Sequence, residues 1–392
     1  MFEFKYYTPT KVIFGKNTET KVADLIKEFG GKKVLIHYGK GSVIRSGLMQ
    51  KVTDTLDAAG ISYISLGGAV PNPRLSLVYE GIDLCKKEGV DFILALGGGS
   101  AIDSAKAIGY GVANEGDVWD FYVGKRKPKG CLPIGVILTI AATGSEMSDS
   151  SVITNEEGLF KRGCNSDYCR PKFAIMNPEL TMTLPDYQTA CGCADIMMHT
   201  MERYFTQGGN MEITDALAEG LLKTVIKNAK ILVKEPKNYD ARAEIMWAGS
   251  LAHNGLTGCG SDGGDWSPHK LEHEIGGMFD IAHGAGLAAV WGSWARYVYK
   301  DCLMRFKRFA VNVMEVENSG SDEEIALKGI EAMEAFYREI NMPTNLRELG
   351  VNATDEQLSE IAHKCAIGVS GETGSAKRLK EKDMLAIYTA CR

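Results

Sequence analysis

Asp195 and His199 stand four residues apart in Asp195-Ile196-Met197-Met198-His199, so on a helix both side chains leave one face about a turn apart. A carboxylate and an imidazole so placed reach the same cation. Downstream, His269 and His273 repeat that spacing and His283 follows; with His253, four of the seven histidines fall within residues 253–283. One carboxylate and three imidazoles suit a borderline divalent ion such as Fe2+ or Zn2+, and suit calcium or magnesium poorly. The competing reading makes these ordinary polar residues on helix faces or histidines satisfied in a core. An Asp-x3-His pair joined by a second histidine cluster favours the ion.

Those side chains need elements that bring them together. On one unbroken helix His269 and His283 would lie about 21 Å apart, too far for a single ion. Gly276-Gly277 can end the helix and Asp280 can cap a new one, turning the chain back so that His283 approaches His269.

A second constellation is glycine-rich. Gly97-Gly98-Gly99-Ser100 directly follows the apolar run at 91–96 (DFILAL) and opens a helical stretch, offering unhindered backbone N–H groups and a helix N-terminus to a pyrophosphate. The turn could equally be structural. Gly39-Lys40-Gly41-Ser42 ends the run at 33–38 (KVLIHY) and begins like a G-x-G-x-x-G fingerprint, but Ile44 takes the third glycine position and no acidic residue follows the strand at 61–66. Without a carboxylate for the ribose 2′-hydroxyl, and with Lys40, Ser42 and Arg45 nearby, this corner favours NADP(H) over NAD(H), the other reading being solvated loop charges.

These motifs sit in two kinds of chain. Strand-like runs at 33–38, 61–66, 91–96 and 132–138 alternate with helical stretches at 43–59, 75–88 and 100–108, which predicts a parallel sheet with helices on both faces. From Tyr187 onward strand-like alternation is nearly absent. The expected organisation is an α/β dinucleotide-binding domain over 1–185 and an all-helical metal-binding domain over 186–392.

Composition bounds the rest. A chain of 392 residues with a net charge of −6 and no basic run excludes a general attraction to nucleic acid. No apolar run approaches the roughly 20 residues that span a bilayer, and the first residues lack the features of a secretion signal, so a soluble cytoplasmic protein is expected, with no membrane partner. Ten cysteines are sparse in this length and read as reduced, mainly buried residues. Cys191-x-Cys193 and Cys164-x4-Cys169 have the spacing of half a zinc site, but no second pair completes either.

With these motifs in hand, the sequence resembles the iron-containing alcohol dehydrogenases, and within them the branch of bacterial NAD(P)H-dependent butanol dehydrogenases and aldehyde reductases. The resemblance spans nearly the whole chain through Pro71-Asn72-Pro73, Gly97-Gly98-Gly99-Ser100-x2-Asp103-x2-Lys106, Thr139-x3-Thr143-Gly144-Ser145-Glu146, Asn177-Pro178-Glu179-Leu180-Thr181, Asp195-x3-His199, and Asp262-Gly263-Gly264-Asp265-Trp266 leading to His269-x3-His273-x9-His283. It implies metal ligation by Asp195, His199, His269 and His283, with His273 near the reacting centre but unligated. It also implies cofactor contacts at Gly39, Gly41, Ser42, Asn72, Gly98, Gly99, Ser100, Asp103, Thr139, Ser148 and Lys161. Cys191 and Cys193 replace the small residues of many relatives, which points to an oxidation-sensitive site or simply to buried small side chains.

The activity so implied is interconversion of small primary alcohols, butanol-like, and aldehydes. The metal would lower the pKa of the alcohol oxygen while hydride passes to C4 of the nicotinamide, with His273 relaying the proton or serving only as a structural histidine. Trp266, Phe279 and Met198 lean towards apolar substrates. Rival readings are a polyol dehydrogenase of related fold and a metal-dependent hydrolase or lyase. A homodimer is the default assembly.

Overall fold

Six strands form one all-parallel sheet in the order β1-β8-β5-β4-β2-β3: β1 (Lys11–Phe14), β2 (Lys33–Gly39), β3 (Ser62–Ala69), β4 (Phe92–Gly97), β5 (Ile134–Leu138) and β8 (Phe173–Met176). β4, β5 and β8 are buried at every position, which is why they read as unbroken apolar runs: a parallel sheet is covered on both faces. The helices here are α1 (Val22–Glu28), α2 (Ser42–Arg45), α3 (Leu48–Ala58), α4 (Leu75–Glu88), α5 (Gly99–Ala113) and α6 (Trp119–Tyr122). Leu48, Val52 and Leu56, one face of α3, join Val34, Ile36, Leu94 and Leu96 in the core. An antiparallel hairpin, β6 (Ser150–Asn155) and β7 (Phe160–Asn165), stands outside the sheet.

The computed structural model describes Met1–Arg392, and the chain divides into two compact units, Thr8–Thr183 and Leu184–Arg392 with Met1–Tyr7. In the second unit nine helices follow: α7 (Asp186–Tyr204), α8 (Glu212–Lys234), α9 (Tyr239–His253), α10 (Ser267–Phe279), α11 (His283–Val298), α12 (Leu303–Asn312), α13 (Asp322–Glu339), α14 (Asp355–Gly368) and α15 (Glu381–Cys391). A two-residue antiparallel pair, β9 (Glu372–Thr373) with β10 (Leu379–Lys380), interrupts an otherwise helical unit.

The architecture is the expected one, an α/β parallel-sheet domain followed by a helical domain, with three local corrections. The single helix predicted over 43–59 is two, because Gly47 adopts the left-handed conformation (φ 78°) between α2 and α3. The edge strand β1, the strand β8 and the β6–β7 hairpin were not anticipated; β1 has only four residues and β8 lies beyond the last regular βαβ repeat. Finally, Gly276-Gly277 does not end α10, which runs on to Phe279. The reversal comes at residues 280–282, where Asp280 (φ 49°) closes α10 instead of capping α11, and Ala282 precedes the first turn of α11.

Candidate metal centre

α7 carries Asp195 and His199 one turn apart, and His199 Nδ1 lies 3.4 Å from Asp195 Oδ1. His269, in the first turn of α10, directs Nε2 to the same oxygen at 3.5 Å, and His283, the first residue of α11, does so at 3.6 Å. The reversal at 280–282 thus achieves what the glycine pair was expected to do. Ligand-type atoms of Asp195, His199 and His269 all lie within 4.8 Å of one another.

Three atoms at this centre, Asp195 Oδ1, His199 Nδ1 and His269 Nε2, are buried without a hydrogen-bond partner. Leaving such groups unsatisfied costs roughly 1–3 kcal/mol each, more for a charge. A divalent cation among them removes that cost, and the donor set of one carboxylate and neighbouring imidazoles fits one. The electrostatics agree. Burial would push the Asp195 carboxyl up, but His199, His283 and His269 hold it well below the usual carboxylate range. Burial drives the His199 imidazole well below its ordinary value. Against the same burial, Glu202 and Asp195 raise His269 to about 9, so the surroundings favour an ionised Asp195 and a cation at His269, and a neutral His199.

Close packing of helices sets this geometry. A Cβ on Gly284 would stand 2.0 Å from the Cys191 carbonyl oxygen, so only glycine lets the first turn of α11 reach the face of α7 that carries Asp195, one turn after Cys191. Arg203, near the end of α7, donates from Nη1 to the carbonyls of His199 (2.7 Å) and Ala252 (3.1 Å) and lies over the Trp266 ring. Asp265 fixes the start of α10: its carboxylate accepts from the backbone N–H groups of Ser267 (3.1 Å), Ser375 (2.7 Å) and Ala376 (2.8 Å). His273 lies one turn beyond His269, with its ring 6.3 Å from that of His269 and 6.0 Å from that of His283.

Sequence reasoning missed Glu202, Glu272 and Gly284. Glu202 Oε1 accepts from the His269 backbone N–H at 2.8 Å and Oε2 is hydrogen-bonded to His269 Nδ1; Glu272 Oε2 is bonded likewise to His283 Nδ1. Their signal was present: each glutamate lies three residues after a candidate ligand, at His199 and His269. Met198 is wholly buried within α7. Cys191 and Cys193 are free thiols that burial pushes up to about 12, opposite to the low-pKa thiolates that oxidise readily, which favours the buried-residue reading.

The glycine-rich motifs lie together at the carboxyl ends of neighbouring strands. The chain leaves β2 for β3 and returns to β4, so the strand order reverses between β2 and β4, where open α/β sheets bind ligands. Gly39 closes β2, with Gly41 (φ 116°) and Ser42 starting α2; Gly98 precedes α5, whose first turn holds Gly99 and Ser100. A Cβ on Gly98 would meet Ile140 at 2.9 Å, and one on Gly99 would meet Thr143 at 2.4 Å. Thr139 follows β5 and donates its backbone N–H to Gly97 O at 3.0 Å. Asp103 turns its carboxylate to Ser145 Oγ (2.6 Å) and Val152 N (2.9 Å), tying α5 to the hairpin. Lys106, fully buried, donates to the carbonyls of Ser148 (3.0 Å) and Ser150 (2.8 Å). Pro73 O accepts from Thr154 N at 2.7 Å while Lys161 pairs with Thr154 from the other strand of the hairpin, so β6 runs between the Pro73 segment and Lys161.

A parallel α/β sheet with a glycine-lined switch point, and a helical domain with a carboxylate–imidazole centre, define a class: a metal-assisted, dinucleotide-dependent oxidoreductase. The family model for iron-containing alcohol dehydrogenase matches residues 9–178, and that for the C-terminal domain of the Fe-containing alcohol dehydrogenase family matches 189–391. The chain is 40% identical over 389 residues to NADH-dependent butanol dehydrogenase A of Clostridium acetobutylicum, covering 99% of each. It is 34% identical over 361 residues to the NADPH-dependent aldehyde reductase YqhD of Escherichia coli, covering 90% of this chain and 91% of that one. The crystal structure of NADH-dependent butanol dehydrogenase A from Thermotoga maritima superposes with a TM-score of 0.96 at 38% identity, over 100% of this chain and 99% of the other. The chain belongs to the iron-containing alcohol dehydrogenase family. Membership makes it an alcohol dehydrogenase or aldehyde reductase using a divalent metal and a nicotinamide cofactor, and sets aside the hydrolase and lyase readings.

Proposed function

We propose that this protein interconverts primary alcohols of about the size of butanol with their aldehydes, using NADP(H) in preference to NAD(H). The α/β domain over 1–185 takes the dinucleotide, and the helical domain over 186–392 holds Fe2+ or Zn2+ through Asp195, His199, His269 and His283. One observation carries the reading: the buried, partnerless Asp195 Oδ1, His199 Nδ1 and His269 Nε2 converge from two helices.

When bound, the ion supplies a Lewis acid to the alcohol or carbonyl oxygen and the nicotinamide accepts or donates the hydride. The protein's own groups do the rest. The glycine turns at 39–41 and 97–99, with Ser42, Ser100 and Thr139, offer backbone and hydroxyl groups to the dinucleotide phosphates, and Asn72, Asp103, Ser148 and Lys161 complete its binding. His273 exchanges the hydroxyl proton with solvent. Trp266 and Phe279 favour an apolar substrate chain, whereas the buried Met198 acts through packing. The relatives divide over the cofactor, the names of two specifying NADH and that of one NADPH. Here Lys40, Ser42 and Arg45, with no carboxylate after β3, support NADPH.

Ten free cysteines and the lack of any helix long and apolar enough to cross a membrane support a cytoplasmic location. The proposed assembly is a homodimer, on the general prevalence of two-fold oligomers; light scattering checks it. Metal analysis of the purified protein, with paired NADPH and NADH kinetics on aldehydes from ethanal to hexanal, tests the activity. Oxidation of neither cofactor after loading with Fe2+ or Zn2+ overturns it.

A further inference from the structure

Glu202 and Glu272 are 1% and 0% exposed, and each is committed to the outer nitrogen of a histidine on the next element of the site. Glu202 on α7 meets His269 on α10, and Glu272 on α10 meets His283 on α11. A buried carboxylate is expensive unless its hydrogen bonds are made. Glu202 makes a further bond to the His269 backbone N–H, and its main-chain carbonyl accepts from Asp265 N at 2.8 Å, so one residue fixes both the entry to α10 and the ring that α10 carries.

We infer that Glu202 and Glu272 are positioning residues for the metal: they accept the Nδ1–H of His269 and His283 and thereby turn both Nε2 lone pairs to the oxygen of Asp195. This rests on the reading of Asp195, His199, His269 and His283 as ligands. The matching inner distances, 3.5 Å and 3.6 Å to one carboxylate oxygen, are the geometric result. An acceptor at Nδ1 selects the tautomer with a free Nε2 lone pair and raises its basicity, and two nearby anions add attraction for a dication. His199 is held differently, with its ring 4.0 Å from that of His253. Gly286 leaves space for Glu272 and Ile281: a Cβ there would stand 2.4 Å from Ile281 Cδ1, 2.9 Å from Glu272 Cγ and 3.2 Å from Glu272 Oε1.

The test uses the full-length protein loaded with Co2+, whose visible spectrum reports ligand geometry, and compares wild type with Glu202→Gln, Glu272→Gln, Glu272→Leu and Gly286→Ala. Cobalt affinity in competition with a chelator is expected to fall about 10- to 100-fold in Glu272→Leu, with a changed visible spectrum and retained far-UV circular dichroism. Gln keeps an acceptor for Nδ1–H, so Glu272→Gln recovers part of the loss. Gly286→Ala, which displaces the carboxylate while leaving both partners in place, follows Glu272→Leu. Should Glu202→Gln fail to fold, the three variants at 272 and 286 decide. Wild-type affinity and spectrum in Glu272→Leu and Gly286→Ala overturn the inference. Wild-type protein that binds no cobalt instead overturns the ligand assignment beneath it.

Discussion

Gly284 at the start of α11 lies directly on the main chain of Cys191 in α7, and a Cβ there would come within 2.0 Å of a carbonyl oxygen that has no rotamer by which to move away. Gly284→Ala sets two effects against each other. Helix propensity favours alanine by about 1 kcal/mol, while overpacking against backbone costs about 1–3 kcal/mol or more. The clash wins, and because His283 is the adjacent residue, it moves with α11. The variant is expected to melt several degrees lower and to retain less metal, measured by thermal unfolding and elemental analysis. Full metal content at an unchanged melting temperature would contradict this packing.

The cofactor end answers separately. Gly99→Ala would bring a methyl group to 2.4 Å from the Thr143 side chain at the first turn of α5, where backbone N–H groups face the proposed pyrophosphate. A loss of about 1.4 kcal/mol is a tenfold weaker cofactor. At least that increase in the dissociation constant for NADPH is expected by fluorescence titration, with metal content unchanged.

Much of this arrangement was legible in the sequence, for reasons that differ by element. Asp195 and His199 share a helix, so spacing alone fixed their common face, and the run at 91–96 followed by three glycines announced β4 and α5. Joining His283 to that pair needed a reversal whose position depends on a left-handed Asp280, a conformation that asparagine and aspartate adopt often enough to be possible but not often enough to predict. Glu202 and Glu272 were harder still. Each lies beside a histidine in sequence but serves a histidine on another helix, and that pairing exists only once α7, α10 and α11 have packed.

Arg45 folds back over the second glycine of the first motif, its Nη1 3.5 Å from where a Gly41 Cβ would stand. Together with Lys40 it forms the cationic corner proposed to take a 2′-phosphate. The double variant Lys40→Ala/Arg45→Ala is expected to lower kcat/KM with NADPH by about 10- to 100-fold, as charge-assisted bonds to phosphate are lost, and to leave NADH within about twofold. Steady-state kinetics with both cofactors read the difference. Equal losses for both would remove the 2′-phosphate role.

His37 in the middle of β2 is wholly buried, with Nδ1 bonded to Leu66 O at 2.9 Å. Burial holds its imidazole at about 4, below the ordinary 6.5. As pH falls the unfolded chain therefore takes up the proton first. The contribution of His37 to stability is whole above 6.5 and declines as pH falls from 6.5 to 4, by about 3 kcal/mol in all. His37→Leu loses the bond to Leu66 and starts from lower stability, but its urea midpoint is expected to fall less than that of wild type between pH 7 and pH 4.5. Parallel declines in the two proteins would count against a neutral buried His37.

His273 stands one turn beyond His269 on α10 and is nearly buried, with its ring 6.0 Å from that of His283. That places it beside the proposed ligands without making it one, and a proton carrier differs from a ligand in what its removal leaves behind. His273→Ala is expected to keep its full metal content and cobalt spectrum while kcat for alcohol oxidation falls about 100-fold or more, the usual scale for a general acid–base group. The limb of the pH–rate profile near neutrality should disappear with the imidazole. Unchanged kcat and an unchanged profile would reduce His273 to packing, and loss of metal would make it a fifth member of the centre.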